Sequence, residues 1–205
     1  MKLILSKIKT YFGKLDKLLL FMCMGIACFA VFIQYTLYEN DISSAVTASQ
    51  YKTQIIAFIA GIVIAMALAA INYKYLAKLW FIYVPLAMGL TLLLFTPLGI
   101  QREGADDIGW LDLGIMTIQP SEILKLAFIL SLAVHLSKVE DRMNEPIHFI
   151  LLCIHGAIPT LLIRQTGDDG SALVFLFIFI CMMFAAGLSW KYLVMIAVAI
   201  PPAVY

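Results

Sequence analysis

Residues 18–38 contain no charged side chain, and apolar runs of similar length recur along the whole chain. About 20 consecutive apolar residues, coiled as a helix, cross the roughly 30 Å of hydrocarbon in a bilayer. Lipid cannot hydrogen-bond a bare backbone, so a run of this kind spans as a helix whose N–H and C=O groups bond within it. The pattern predicts spans at 18–38, 53–71, 79–98, 121–136, 147–163 and 171–189, with a seventh beginning at 193–205. The fold class expected is all-α: a polytopic transmembrane helix bundle of six complete spans and the start of another.

Composition supports lipid as the solvent. Of 205 residues, 63% are hydrophobic and 13% charged, against about 25% charged in ordinary soluble domains. The five lysines before residue 18, followed by an apolar run, resemble a secretory signal, but the run is about twice the length of a signal's apolar core. Ile26-Ala27-Cys28 faintly resembles a lipoprotein cleavage site, with Gly25 where a leucine is expected. An uncleaved first span is the expectation. There is no internal repeat, low-complexity tract or flexible linker, so residues 1–205 read as one membrane domain. The last run is too short to span and ends on Pro201-Pro202 and three further residues, which reads as a chain cut from a longer parent.

Basic residues orient the bundle, because they concentrate on the cytoplasmic side. Numbered alternately, one side collects the five N-terminal lysines, Lys74, Lys78, Lys138, Arg142 and Lys191. The other receives only Lys52, Arg102 and Arg164, with the acids Glu39, Asp41, Glu103, Asp106, Asp107, Asp112, Asp168 and Asp169. A cytoplasmic N-terminus, residues 1–17, follows. Trp80, Trp110 and Trp190 fall near span ends, where amphipathic rings prefer the interface. Net charge is +1 and no basic stretch is interleaved with aromatics, so nothing points to nucleic acid. Cys23, Cys28, Cys153 and Cys181 lie in apolar runs without CxxC spacing and read as small hydrophobes.

Three places carry polar chemistry where lipid penalises it. In Gln119-Pro120-Ser121-Glu122-Ile123-Leu124-Lys125, proline suits the first position of a helix and Glu122 the first turn. Ser121, Glu122 and Lys125 share a face. Lys125 would lie roughly 7–8 Å inside the outer boundary, where an unpaired lysine costs about 2.5–3.5 kcal/mol at mid-bilayer. It either snorkels back to the headgroups or forms an ion pair inside the bundle beside a site for an anionic ligand. In the second place, Arg164 to Ala172, Asp168 or Asp169 either caps the sixth span or reaches Lys125. In the third, Gly104 to Gly114, Asp106 and Asp107 read as a solvated acidic loop, or as oxygen ligands for a divalent cation. No other cofactor and no resident metal is expected. His135, His148 and His155 form no ligand cluster at a familiar spacing. The first two read as interfacial, and His155 as a structural hydrogen-bonder within the fifth span. No phosphate loop, nucleophile elbow or zinc motif is present.

Taken together, Trp110-Leu111-Asp112-Leu113-Gly114 and the Gln119-Pro120-Ser121-Glu122 stretch with Lys125 resemble the SEDS family of RodA, FtsW and SpoVE, with a slight lean to RodA. Asp168-Asp169-Gly170-Ser171-Ala172 is similar to the latter part of a second signature of that family. There, Thr166-Gly167 replace Gln-Pro and Gln165 sits one position early, while Gly109 stands where an arginine often precedes the tryptophan. The resemblance implies a ten-helix glycosyltransferase of the bacterial cytoplasmic membrane. Such an enzyme polymerises lipid II, the undecaprenyl-pyrophosphate-linked precursor, on the outer face, in elongation or division. Its implied partners are a class B penicillin-binding protein, which is a transpeptidase, and membrane lipid. Carried onto this chain, Lys125 and Asp168 become an intramembrane pair, with Gln119, Pro120, Ser121 and Glu122 lining the same cavity. Asp169, Gln165 and Trp110 are secondary candidates. The family's catalytic aspartate follows the seventh helix, so no catalytic base is assigned within residues 1–205, and this chain alone is expected to be inactive. A lipid II flippase and a non-catalytic scaffold of the elongation or division machinery are the competing readings.

Overall fold

The computed structural model describes residues 16–40, 48–102, 104, 106–114, 117–192 and 194–195. The basic segment 1–15 and most of the expected partial seventh span lie outside the described residues. The contacts group the chain into two units, residues 1–72 and 73–205.

The first unit holds α1 (Lys17–Glu39) and α2 (Ala48–Ala70), which pack on each other. Asp16 opens α1, its carboxylate accepting the Leu19 N–H at 3.0 Å. At the far end Tyr51 of α2 lies parallel to Tyr38 of α1, with ring centroids 6.2 Å apart. No residue of α1 is buried, and Phe21 is 77% exposed. In water each such side chain would forgo about 1.5–3 kcal/mol of burial; hydrocarbon removes that penalty.

The second unit begins with α3 (Tyr73–Lys78) and α4 (Trp80–Leu92), which tightens into a 3-10 turn at Leu93–Phe95. Three short strands follow: β1 (Gly99–Ile100), β2 (Trp110–Asp112) and β3 (Thr117–Ile118). They form an antiparallel sheet in the order β1-β2-β3, with Leu111 opposite both Gly99 and Ile118. Then come α5 (Pro120–Val139), a 3-10 turn at Glu140–Arg142, α6 (Pro146–Arg164) and α7 (Asp169–Ala185). Among the described residues three helices are long and apolar enough to cross a membrane: α1, residues Gln50–Ala70 of α2, and α6. Shorter apolar helices occur at Trp80–Phe95 and Asp169–Ala185. These support an all-α membrane protein, decorated by one small sheet that the sequence did not announce.

Helix α5 is the centre of this unit and packs against α4, α6 and α7. Its inward residues Leu124, Phe128, Leu132 and Leu136 meet Leu152 of α6 and Phe175 and Met183 of α7 in one core. The α6–α7 crossing is close because Gly156 has no side chain: a Cβ there would lie 2.7 Å from the Phe179 ring. The sheet lies at the end where α5 and α7 begin and α6 finishes. At the opposite end Asn144 accepts the Ser189 N–H at 2.9 Å, and its carbonyl accepts the Tyr192 hydroxyl at 2.9 Å.

Candidate functional site

The sheet end gathers the motif residues. Gln119 precedes α5 in an extended conformation, and Pro120 occupies the first helical turn, as its missing N–H allows. Pro120 and Ser121 are buried. Ser121 is 2% exposed, and its Oγ has no hydrogen-bond partner among the described residues. An orphan hydroxyl in a protein interior carries an uncompensated desolvation cost and marks a polar position with capacity to spare. One turn on, the Lys125 ammonium meets the Glu122 carboxylate at 2.6 Å. The lysine side chain is 18% exposed and the glutamate 61%. The cation therefore turns back towards the start of its own helix.

The Lys125–Asp168 pair expected from the sequence is not formed among the described residues. Asp168 is the N-cap of α7, and its Oδ1 accepts the Ser171 N–H at 2.8 Å. The physical reason is proximity. The open N–H groups of α7 stand within three residues of Asp168, and Glu122 reaches Lys125 along one helix face. Neither group needs to bridge two helices. Asp169 instead approaches the Arg164 Nε at 3.7 Å, and Gln165 is exposed beside it.

The described part of the loop before α5 is tied to the bundle. The Ile108 N–H donates to the Thr166 carbonyl at 2.9 Å, so the sheet loop is latched to the turn between α6 and α7. Gly167 makes the approach possible: its φ is +86°, and a Cβ there would lie 3.3 Å from the Asp107 Cα. Leu111 points into the bundle and is 1% exposed, while Trp110 on the other face lies under the Arg102 guanidinium at 3.4 Å. Arg102 also donates to the Thr117 hydroxyl at 3.4 Å. A side chain at Gly109 would run into the Asp107 carboxylate and towards the Gln119 amide, which accounts locally for glycine at that position. Asp106 and Asp107 stand in this loop; among the described residues no three His, Cys, Asp or Glu side chains gather as a metal site.

Sequence reasoning missed a second polar cluster, between α5 and α6. His135 of α5, read as interfacial, instead meets His155 of α6 with Nδ1 to Nδ1 at 3.0 Å. His155 Nε2 lies 3.0 Å from the Ser131 Oγ, in keeping with the hydrogen-bonding role expected of it. Ser131 and His135 are four residues apart on one helix face, a spacing that could have flagged them. Beside this cluster a pocket of about 310 Å³ opens between α4, α5 and α6, lined by Val84, Met88, Phe128, His155, Ile158 and Pro159 among others. His148, at the start of α6, is 3.6 Å from Glu145.

Comparison with known proteins agrees with this geometry. Residues 14–205 match the family model FTSW_RODA_SPOVE, described as a cell cycle protein. A probable peptidoglycan glycosyltransferase FtsW of Geobacter sp. (strain M18) is 32% identical over 93% of this chain and 53% of its own. The RodA crystal structure from Thermus thermophilus, at 25% identity, aligns with a TM-score of 0.63 over 84% of this chain and 58% of that one. A chain from a structure titled for coordinated polymerization and crosslinking by a peptidoglycan synthase complex aligns with a TM-score of 0.70 at 23% identity. That alignment covers 88% of this chain and 51% of the other and shows likeness of fold. The chain spans about half the length of the curated relatives it matches. FtsW and RodA both occur among the similar proteins, so the slight lean to RodA is carried no further. With the family model covering nearly all of it, the chain belongs to the FtsW/RodA/SpoVE family of membrane cell-cycle proteins.

Proposed function

We propose that this chain belongs to a peptidoglycan glycosyltransferase that polymerises lipid II on the outer face of the bacterial cytoplasmic membrane. The observation that carries the reading is 32% identity, across 93% of the chain, to a protein named as a probable enzyme of that kind. In this arrangement six helical spans cross the bilayer with the N-terminus in the cytoplasm, and the sheet end faces outward. The start of α5 then lies at headgroup depth. Gln119, Pro120, Ser121, Glu122 and Lys125 form the headgroup side of the cavity, with Asp168 holding the entry of α7 beside them. The catalytic base lies outside residues 1–205. The apolar pocket between α4, α5 and α6 offers hydrocarbon-lined space for a lipid chain. A penicillin-binding transpeptidase is the partner, in keeping with the synthase complex whose chain shares this fold.

The test uses the full-length parent protein, purified and reconstituted with lipid II. Glycan polymer on a gel is the expected product. Movement of lipid II between leaflets without polymer assigns transport instead, and neither activity in the presence of the transpeptidase leaves a scaffold.

A further inference from the structure

The imidazole pair between α5 and α6 takes no part in the headgroup site, and its three contacts, taken as hydrogen bonds between neutral groups, have one consistent order. Ser131 Oγ lies 3.1 Å from the Phe128 carbonyl, which can only accept, so the single hydroxyl proton of Ser131 goes there. Ser131 Oγ must then accept from His155, which places a proton on His155 Nε2 at 3.0 Å. A neutral imidazole has one N–H and one bare nitrogen, so His155 Nδ1 is bare. It faces His135 Nδ1 at 3.0 Å, and two bare nitrogens would repel, so His135 Nδ1 carries the proton. The chain of donors runs His135, His155, Ser131, Phe128 carbonyl, from α5 to α6 and back. The ring planes are inclined by 26°, with centroids 5.3 Å apart.

This chain ties the two helices at one rotation of α5. At 3.6 residues per turn, Ser121 stands only about 40° around the helix from His135 and Lys125 about 80°. A turn of α5 by one residue step, about 100°, would part the imidazoles, bring buried Ser121 out of the core and re-aim Lys125. We propose that His135 and His155 are positioning residues, a neutral imidazole pair with a single proton order that sets the rotation of α5 and so the aim of Ser121 and Lys125. The inference rests on the reading of the start of α5 as the headgroup site, but its own geometry stands apart from any activity.

Two measurements on the full chain in lipid nanodiscs test it. With 15N-labelled histidine, nitrogen shifts should show His135 protonated on Nδ1 and His155 on Nε2. The reverse order, or protons on Nε2 of both, overturns the assignment. Lys125 acylation by a soluble, amine-reactive activated ester, followed by mass spectrometry, reports its aim. His135→Leu and His155→Leu should change that rate several-fold. His135→Asn, whose amide supplies a donor where Nδ1 stood, should restore it. His155→Asn should not, because His155 uses both nitrogens and the amide reaches only one of its partners. An unchanged rate in both leucine variants overturns the positioning role. If the tautomers and rates come out as stated while the wild-type full-length parent makes no polymer, the proposed function falls and the pair remains.

Discussion

At the scale of single residues, two carboxylates compete for two tasks at the sheet end, and helix geometry decides between them. Glu122 neutralises Lys125 within one helix, and Asp168 satisfies backbone at the start of the next. A cap and an ion-pair partner respond differently to the same substitution. Asn caps about as well as Asp, whereas Ala costs about 1 kcal/mol. Asp168→Asn should therefore keep the thermal stability of the purified protein, and Asp168→Ala should lower it by about that amount; equal losses in both variants would restore the ion pair. Lys125→Ala should abolish growth complementation and polymer formation, and Glu122→Gln should weaken both. Normal complementation by Lys125→Ala would remove that end of α5 from the site. The sequence located these residues, because proline, an early acid and a lysine one turn on fall on one helix face. It did not reveal which acid the lysine takes, since Glu122 and Asp168 both lie near a helix start and only their separation in space distinguishes them.

At the scale of elements, the helices were legible because each long apolar run has one dominant solution in lipid. The three strands were not: each has only two or three residues, too short for alternation to show. What makes that sheet worth forming is Leu111, pressed into the bundle, and the Ile108–Thr166 latch. His135 was misread for a related reason. Its distance from the end of α5 suits an interface, and its true partner sits twenty residues on, in another helix. Gly156 and Gly167 each carry a close approach between elements. Gly156→Val should press on the Phe179 ring and cost about 1–3 kcal/mol by overpacking, read as a lower melting temperature. Gly167→Ala must hold a left-handed backbone conformation at a cost of about 1–2 kcal/mol. It should loosen the latch, seen as faster amide exchange at Ile108.

At the scale of the whole molecule, the exposed surface is itself the argument for lipid. Phe21, Phe32, Phe177 and Leu126 are all more than 60% exposed, and hydrocarbon is the solvent in which that costs nothing. The proposed orientation is open to a direct check in intact cells, using a version with the four native cysteines replaced. Cysteine placed at Thr117, in the sheet, should react with a membrane-impermeant maleimide, and cysteine at Asp141, in the opposite turn, should react only after lysis. The reverse pattern would invert the protein in the membrane and with it the side on which lipid II could meet Lys125.

The guanidinium seated on Trp110 carries a consequence for whatever visits this surface. A cation over an indole face is held by about 0.5–1 kcal/mol at an exposed site, enough to keep that side of the ring occupied most of the time. A sugar or peptide that came to lie flat against it would first have to unseat Arg102, and the freed cation would then stand beside the newcomer, ready for any negative charge it brought.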